Sequence, residues 1–495
     1  MEAPPSTSLL TRWLFARALG AVLLCACLPL AAQITALIGS SGISPAQALL
    51  HAAHEKLGSS AFWYFPSLCW LWSSDTSLVL QCLLGATGGI LLLTGIHPGF
   101  GAFLGWICYL SLCAVGSPFL DFQWDALLVE TCLLAACYLP WQRRPDWTHL
   151  TKVQSIARWL LLWLAFRLML QSGIVKLASG DPLWRNLSAL QFHFETQPLP
   201  LWTAWYAHHL PSWLLNASTA IVFLIELGFP WLLLGPQKIR HRAALGLIFL
   251  QTAILLTGNY AFFNWLSIAL CVLFLNDSFW PERWCKLLLS PDRPHPQQAP
   301  WKGLVMGSAA CVAAFTTGLQ VLGSLSPDFR MDGLVSALAP LRSTNTYGLF
   351  AVMTSTRPEI LLEGSNDGLL WHPYQFRWKV HDPWKRPALV APWQPRLDWQ
   401  MWFAALGRIE QNPWLIQFLT HLLQGNPVPA QLLAENPFPD QPPKWIRARL
   451  YEYHFTDTGS GAAWWRREEK GLYCPPITLK KQATPSEGQP AIAQP

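Results

Sequence analysis

The chain has 495 residues, of which 52% are hydrophobic and only 13% are charged, and its mean hydropathy is +0.26. Soluble domains carry about 25% charged residues, so this composition excludes an ordinary soluble globular protein and indicates an integral membrane protein. The net charge of +6 is explained by basic cytoplasmic loops, so no nucleic-acid partner is expected.

Most of the cysteines follow the apolar pattern of the chain. Nine of the twelve lie within apolar runs, and no pair of cysteines has the spacing of metal ligands. Such cysteines behave as small hydrophobic side chains. We therefore expect neither a disulfide framework nor a zinc site, and no cofactor is indicated.

Nine apolar runs are candidates for membrane-spanning helices, since about 20 apolar residues cross a bilayer. The first follows Arg12 and Arg17 and ends at Ile38. A signal peptide is the alternative there, but no A-x-A cleavage site follows the run, so a spanning helix is favoured. The other runs lie at about 77–96, 99–116, 122–140, 156–175, 214–235, 241–257, 259–276 and 303–322. The sequence therefore predicts a polytopic α-helical bundle of about nine spans within residues 1–326.

Basic residues are distributed unequally between the segments that join these runs. If the N-terminus is cytoplasmic, twelve Lys and Arg residues lie in cytoplasmic segments, whereas only Lys56, Lys176 and Arg185 lie outside before the C-terminal region. Lys and Arg accumulate on the cytoplasmic side of membrane proteins. The asymmetry predicts a cytoplasmic N-terminus and a C-terminal domain in the lumen of the endoplasmic reticulum or in the periplasm outside a bacterial inner membrane.

After about Ser326 the composition becomes that of a water-soluble domain, which we expect to cover residues 327–481. Alternating apolar residues predict strands in GLFAVMTST, PEILLEGSNDG, KWIRARLYEYHFT and AWWRREEKGLYCPPITL. Between them, RLDWQMWFAALGRI and NPWLIQFLTHLLQG predict helices. We expect an extracytoplasmic β-sandwich-like domain with a helical insertion, followed by a disordered tail at 482–495.

The most unusual stretch, residues 166–211, places ionisable side chains within and directly after an apolar helix. Ionisable groups at membrane depth cost about 2.5–3.5 kcal/mol each and normally face the bundle interior or a water-filled cavity. The alternative is that Lys176 and Arg185 extend to the membrane interface and the histidines lie in an ordinary loop. We predict a cavity lined by Arg167, Lys176, Asp181, Trp184, His193, Glu195, His208 and His209.

Five further polar residues lie inside predicted spans: Asp125, Glu130, Glu226, Asn259 and Asn264. Leaving a buried charge alone costs several kcal/mol, so we expect the acids to pair with buried bases such as Arg167, with a substrate or proton path as the alternative. The asparagines are typical of amides bonded across packed helices. The histidines near Glu195 lack a helical His pair, so we expect no metal site.

One segment of the C-terminal region, RLDWQMW, concentrates polar and aromatic side chains. Arg and aromatic residues dominate interaction surfaces. The segment is therefore the best candidate for a surface that meets a partner protein or the bundle, and a buried salt bridge beneath a Trp-rich core is the alternative. The residues are Arg396, Asp398, Trp399, Gln400 and Trp402.

Long stretches of the chain resemble the lipase maturation factor family, in the expected order along nearly the whole sequence. They include FRLMLQSGIVKL, DPLWRNLSALQFHFETQPLPLWTAWYAHHLP, LTGNYAFFNWLSIALC, NTYGLFAVMTSTRPEILLEGSNDGLLW and APWQPRLDWQMWFAALG. The resemblance implies a membrane-embedded maturation factor, or chaperone, that helps an exported client protein, by analogy a secreted lipase, to reach its active fold. Its partners would then be membrane lipids and that client, which the RLDWQMW segment is a candidate to contact.

A second, weaker resemblance concerns SGIVKL and the tryptophan that follows it. This pattern is similar to the membrane domain of vitamin K-dependent γ-carboxylases, in which a lysine in the like position serves as a base. By this resemblance Lys176 would be the base of a carboxylase-like membrane enzyme acting on a lipid, quinone or polypeptide. The alternative is a structural ion pair at Lys176. A transporter is disfavoured because the apolar runs show no internal repeat, and we expect a maturation factor rather than an enzyme.

The charge asymmetry generates a prediction about topology. Reporter fusions after Lys152, Lys302 and Lys481 are expected to report cytoplasm, cytoplasm and outside, because basic loops stay on the cytoplasmic side. Pairs of reporters that are active on opposite sides of the membrane measure this directly. A cytoplasmic signal after Lys481 would contradict the predicted orientation and would separate the C-terminal region from any exported client.

Overall fold

The computed structural model describes residues 8–286, 299–325, 332–459 and 461–479. Up to residue 325 the described chain is almost entirely helical, and a π-helical turn at Leu224–Gly228 joins α12 to α13. The helices are α1 (Leu9–Ala31), α2 (Ile34–Ile38), α3 (Ala46–Leu57), α4 (Ala61–Tyr64), α5 (Asp75–Thr94), α6 (Pro98–Val115), α7 (Gln123–Tyr138), α8 (Lys152–Ala178), α9 (Pro182–Arg185), α10 (Ala189–Thr196), α11 (Trp202–His208), α12 (Ser212–Phe223), α13 (Phe229–Leu232), α14 (Gln237–Leu255), α15 (Phe263–Val272), α16 (Glu282–Lys286) and α17 (Pro300–Leu325).

Six of these elements are long and apolar enough to cross a membrane: α1, α5, α6, α8, the continuous Ser212–Leu232 unit and α17. Each of the other three predicted runs also contains a helix, but α7 has 16 residues, α15 has ten, and α14 begins with a basic turn. The number of nine spans is therefore not confirmed. The structure establishes a bundle of apolar helices of membrane-spanning character.

Glycines bring the first helices of the bundle into backbone contact. A Cβ added at Gly20 in α1 would lie 2.7 Å from the Gly89 carbonyl oxygen in α5, and one added at Gly88 would lie 2.4 Å from the Gly101 carbonyl oxygen in α6. Small residues allow such close approach where helices pack in a membrane. The neighbouring α7 is largely buried, with Trp124 and Leu127 enclosed by the bundle.

The C-terminal region contains a four-stranded antiparallel sheet in the order β2-β1-β5-β6 and a two-stranded ladder of β3 and β4. Helices α19 and α20 contact β1 and β5. A β-sandwich is therefore not confirmed, because helices rather than a second large sheet cover these strands in the described residues. The elements are α18 (Asp332–Leu338), β1 (Pro358–Ser365), β2 (His372–Pro373), β3 (Gln375–Phe376), α19 (Arg396–Ala405), α20 (Pro413–Leu423), α21 (Pro427–Ala430), β4 (Leu433–Glu435), β5 (Trp445–Phe455) and β6 (Trp465–Ile477).

The strand predicted in GLFAVMTST is not formed. The backbone N–H of Gly348 donates to the Gln123 side chain at 3.0 Å, and that of Met353 donates to Asp181 at 2.6 Å. Because bundle side chains satisfy these donors, the segment does not join the sheet. The predicted boundary near residue 326 and the predicted tail at 482–495 lie outside the described residues.

The two regions meet across a buried ion pair. Arg396 at the start of α19 donates from Nη1 to Oδ2 and from Nη2 to Oδ1 of Asp125 in α7, both at 2.9 Å, and Tyr109 donates to the same carboxylate at 2.6 Å. Asp125 and Arg396 are 0% and 1% exposed. Although burial disfavours the charged form, Asp125 raises the pKa of Arg396 above its ordinary value. The interface between the regions is therefore anchored by charge as well as by apolar contact.

Removing one partner of this pair is expected to be costly. Arg396→Met leaves Asp125 buried without a counter-charge, which we expect to destabilise the protein by about 3–5 kcal/mol, whereas Asp125→Leu combined with Arg396→Met restores much of the loss. Thermal unfolding of the full chain in detergent measures the effect.

The matched control is Arg449→Met, which breaks the partly exposed pair with Glu469 in the sheet. A surface pair of this kind contributes less than about 1 kcal/mol. A double variant that is no more stable than Arg396→Met would contradict the assigned role of the pair.

Candidate functional site

The end of α8 brings a lysine into a buried ion pair with the π-helical turn. Lys176 Nζ donates to the two carboxylate oxygens of Glu226 at 2.9 and 2.8 Å and to the Ser172 carbonyl oxygen at 3.0 Å. An ammonium group has three N–H donors, so these contacts occupy all of them. Single π-helical turns within α-helices occur frequently at functional sites. The contacts hold Lys176 as one half of a closed ion pair.

A glycine permits this approach of α8 to the turn. A Cβ at Gly173 would lie 2.7 Å from Leu227 Cδ2 and 3.1 Å from Glu226 Cβ. Any larger residue would therefore push the two segments apart and lengthen the Lys176–Glu226 contact. The SGIVKL motif thus supplies both the charge and the room for its partner.

The ion pair lines a small cavity, which we call the lysine chamber. Its volume is about 90 Å³, and its polar lining includes Lys176, Glu226, Gln251, His193 and Tyr260. The Trp184 ring lies 5.3 Å from Lys176 Nζ, a cation–π distance. A water occupies roughly 30 Å³ in the liquid, so the chamber has room for a few waters but not for a large substrate.

One histidine borders the lysine chamber from α10. His193 Nε2 lies 3.2 Å from the Tyr260 hydroxyl. Burial and the positive charge of Lys176 lower the pKa of His193 to about 4. The imidazole is therefore neutral at physiological pH, and it adds no second positive charge beside the lysine.

A larger groove opens above the lysine chamber, between the bundle and the C-terminal region. We call it the seam groove. It has a volume of about 500 Å³ and shares Tyr260, Leu349 and Phe350 with the chamber. Exposed apolar side chains form its rim, with Val352, Phe403 and Leu406 exposed by 66%, 44% and 43%. The arrangement is an open, aromatic, mostly apolar groove with a charged chamber behind it.

Phe350 separates the two spaces and has an unusual backbone conformation. Its φ is +55°, in the left-handed region that bulky residues rarely adopt. The Trp184 indole N–H donates to the Phe350 carbonyl oxygen at 2.9 Å and holds it there. Residues in such conformations cost about 1–3 kcal/mol each and cluster at functional sites.

Two regions of the chain match family models. Residues 10–282 match the lipase maturation factor transmembrane domain, and residues 343–475 match the lipase maturation factor C-terminal domain. The chain belongs to the lipase maturation factor family.

Individual relatives agree with this assignment. Lipase maturation factor 2 of Rattus norvegicus is 34% identical, over 94% of this chain and 83% of its own length. The Homo sapiens protein of the same name is 33% identical, over 95% and 83% of the two chains. Lipase maturation factor 1 of Mus musculus is 33% identical, over 95% and 88%. No solved structure matches the chain.

In this member of the lipase maturation factor family, the residues predicted to line one cavity do not all lie together. Lys176, Trp184 and His193 line the lysine chamber. Arg167 lies elsewhere, paired with Glu130, whose carboxylate also accepts 2.8 Å hydrogen bonds from Asn345 and Tyr347. Asp181 accepts the N–H groups of Leu183 and Met353, so it connects α9 to the C-terminal region rather than facing a cavity.

The remaining predicted cavity residues lie at the sheet. Glu195 accepts the Phe455 N–H at 2.7 Å and lies 3.2 Å from His454 Nδ1 in β5. The His208 ring lies 5.5 Å from that of Phe455, and the His209 ring lies 4.2 Å from that of Trp205. Glu195 and His208 thus form part of the contact between the regions, whereas His209 packs on Trp205 beside it. Among the described residues, no cluster of three His, Cys, Asp or Glu side chains has the proximity that a metal ion requires.

The polar residues inside the predicted spans have partners. Asp125, Glu130 and Glu226 pair with Arg396, Arg167 and Lys176. Asn264 in α15 donates to Gln251 in α14 at 2.8 Å, an amide contact across packed helices.

Asn259 has a different role from the one expected of it. It donates to the Leu199 and Ala388 carbonyl oxygens and accepts the N–H groups of Val390 and Ala391. It therefore connects the turn before α15 to the C-terminal region rather than one span to another.

Of the two surfaces predicted for the α19 segment, one for a client and one for the bundle, the structure shows the one that meets the bundle. All five of its residues are less than 9% exposed. Arg396 pairs with Asp125, Asp398 accepts the Trp378 and Lys379 N–H groups, and Trp402 donates to the Thr196 carbonyl oxygen. The segment packs against the bundle, where Arg396 and Trp402 find their hydrogen-bond partners. The residues are Arg396, Asp398, Trp399, Gln400 and Trp402.

Two kinds of residue at the site were not recognised from the sequence. Tyr260 and Phe350 carry no motif that would have marked them. The sequence carried a weak signal for the partners of the buried acids. It shows three buried acids but, with Arg167, only one buried base, so two further bases were required. Lys176 and Arg396 supply them.

The geometry of the lysine chamber generates a prediction. Lys176→Ala strands Glu226 and is expected to lower stability by about 3–5 kcal/mol, whereas Lys176→Arg keeps the charge and retains most of the folded protein. Abundance and unfolding temperature in detergent measure this, with Lys176→Ala combined with Glu226→Ala as the matched rescue.

The same variants distinguish a structural lysine from a base. Arginine does not release its proton near neutral pH. Full maturation activity in Lys176→Arg is expected for a structural lysine. A well-folded but inactive Lys176→Arg protein would instead favour base catalysis.

Proposed function

We propose that this chain is an integral membrane maturation factor that helps an exported lipase to reach its active fold. The observation that carries this proposal is the match to lipase maturation factors over 94–95% of the chain at 33–34% identity. The apolar helices support a membrane location. Both family-defining regions are present, so the proposal concerns the whole architecture.

The proposed orientation has the N-terminus in the cytoplasm and the C-terminal region on the side to which the client is exported. The distribution of basic residues, twelve against three, supports it. In this orientation the seam groove opens toward the lumen or periplasm. An incompletely folded lipase would then meet the groove without crossing the membrane.

We propose the seam groove as the site that contacts the client, through an apolar segment that the client has not yet buried. Its exposed rim of Val352, Phe403 and Leu406 supports this, because contiguous exposed apolar surface on a folded protein marks a binding site. The α19 residues beneath the groove are held by the ion pair with Asp125, so the groove is a rigid surface. Rigid surfaces lose less entropy on binding.

The alternative of a membrane-embedded enzyme has less support. It requires Lys176 to act as a base, yet the three donors of its ammonium group are occupied by Glu226 and the Ser172 carbonyl oxygen. A base in this position would first have to lose the Glu226 contact. The contacts favour a lysine that orders the bundle beneath the client groove.

Co-expression with a secreted lipase, in cells that lack their own lipase maturation factors, tests the function. The chain is expected to raise the lipase activity per mass of secreted lipase and to leave a secreted protein that is not a lipase unaffected. Phe403→Asp and Val352→Asp are expected to reduce this gain several-fold, whereas Leu472→Asp on β6, which replaces a similarly exposed leucine, leaves it unchanged.

The two parts of the proposal fail separately. An unchanged lipase activity with the folded wild-type chain would contradict the function as a whole. A gain that persists in both groove variants would refute the client site while leaving the function standing.

A further inference from the structure

A second and larger groove lies between α1 and α15. It has a volume of about 880 Å³, and its exposed lining is almost entirely apolar. The groove is concave where small side chains line it, at Ala18, Ala21 and Ala269. Its walls carry the larger side chains of Trp265 and Trp284, which are 46% and 44% exposed. We call it the α1–α15 groove.

The length of the groove along α1 is comparable with the thickness of one membrane leaflet. It lies along α1, which is long and apolar enough to cross a bilayer. From Arg17 to Cys25 the lining extends eight residues, about 12 Å along a helix with a rise of 1.5 Å per residue. Half of a hydrocarbon core is about 15 Å thick. The part of the groove from Arg17 to Cys25 is therefore about as long as the acyl region of a single leaflet is thick.

The other end of the groove has the character of a membrane interface. Trp13, Trp280 and Trp284 line it, and tryptophan is enriched at the level of lipid headgroups. Arg17 lies beside the turn that ends α5, where its Nη2 reaches the Thr94 carbonyl oxygen at 3.4 Å. A charged side chain at this level is positioned to meet a headgroup.

Among the described residues that line the groove, Arg17 is the one that carries a charge. Its guanidinium lies 4.2 Å from the Trp13 ring and 5.0 Å from the Trp147 ring. Within the part of the chain that the structure describes, its Nε and Nη1 have no hydrogen-bond partner, and its one contact to Thr94 is long.

Its neighbour Arg12 differs. Arg12 donates to the Tyr138 carbonyl oxygen at 2.7 Å and to that of His149 at 3.1 Å, so its position is explained by the protein itself. Arg17 is therefore a cation at the membrane interface whose natural counter-charge is not supplied by the described chain.

We propose that the α1–α15 groove binds one membrane phospholipid with an anionic headgroup. The acyl chains lie against Ala18, Ala21 and Ala269, and the phosphate accepts hydrogen bonds from Arg17. Basic pockets between membrane helices recognise anionic headgroups in this way. The preference over a zwitterionic lipid follows from the lining as far as the structure describes it, which offers one positive charge and no carboxylate to hold a headgroup ammonium.

Native mass spectrometry of the full chain in detergent tests the proposal, with phosphatidylglycerol and phosphatidylcholine as probes. The wild type is expected to bind one phosphatidylglycerol about tenfold more tightly than phosphatidylcholine, which corresponds to about 1.4 kcal/mol. Both phosphates accept hydrogen bonds from Arg17, but phosphatidylcholine also brings a second cation close to the guanidinium. Arg17→Gln should remove the preference, and Arg17→Lys should retain much of it. Ala21→Trp should weaken binding of both lipids by filling the groove.

Matched controls separate the groove from the general membrane surface. Arg143→Gln removes an exposed arginine of a neighbouring loop, and Ala314→Trp enlarges an exposed alanine of α17 outside the groove. Both should bind lipid as the wild type does. Equal affinity for the two lipids in the wild type, or unchanged binding in a folded Ala21→Trp protein, would overturn the proposal.

A photoreactive residue at Ala18 identifies the occupant independently of any charge variant. A cross-link to phospholipid is expected. A cross-link to residues 1–7 or 287–298 would show that the chain fills its own groove, and one to a second copy would show a dimer interface. Either result would refute the lipid assignment.

Discussion

Burying a charge away from water costs several kcal/mol unless an opposite charge and hydrogen bonds accompany it, and this constraint determines how the two regions of the chain meet. Asp125 in the bundle is paired with Arg396 of α19, which follows it by more than 270 positions. Arg357 likewise donates to the carbonyl oxygens of Glu195 and Pro198 and to the Glu359 carboxylate. The C-terminal region is thus held to the bundle by buried charged hydrogen bonds.

The same constraint shapes the site. Glu130 and Arg167 neutralise each other beside Asn345 and Tyr347, and this network holds the segment that carries Phe350. Lys176 and Glu226 neutralise each other below it. Phe350 is therefore enclosed by two ordered polar clusters, and its strained backbone is maintained by contacts on both sides. These polar clusters, rather than the apolar rim, hold the backbone that carries Phe350 beside the seam groove.

The architecture places two different binding surfaces on one bundle. The seam groove, which we propose contacts the client, lies where the bundle meets the C-terminal region. The α1–α15 groove, which we propose binds lipid, lies along the bundle. Pro392, from the C-terminal region, lines the far end of the lipid groove, and the adjacent backbone at Val390 and Ala391 is bonded to Asn259. A lipid in that groove would therefore contact the same loop that Asn259 attaches to the bundle, and it would help to order the two regions relative to each other.

The sequence by itself determined the class of the protein, its family and the positions of its long apolar helices, but not the shorter helices between them, such as α3 and α10. Each of the nine apolar runs contains a helix, because the hydrophobicity of a run is a local property that depends little on the rest of the chain. The buried acids also signalled their need for partners through the cost of an unpaired charge. By contrast, the number of true spans was not determined, since α15 is apolar yet only ten residues long.

The partners themselves were decided only by the tertiary structure. No pattern relates Asp125 to Arg396 or Lys176 to Glu226, because each pair joins elements that are distant in the chain. RLDWQMW was compatible with a surface for a client or for the bundle and with a buried salt bridge, and only the position of α19 against α7 showed that it meets the bundle through such a salt bridge. GLFAVMTST has the alternation of a strand, but Gln123 and Asp181 satisfy its N–H groups, so the segment forms the wall of a groove. Local pattern determines what a segment is able to form, and the long-range satisfaction of its charges and hydrogen bonds determines what it does form.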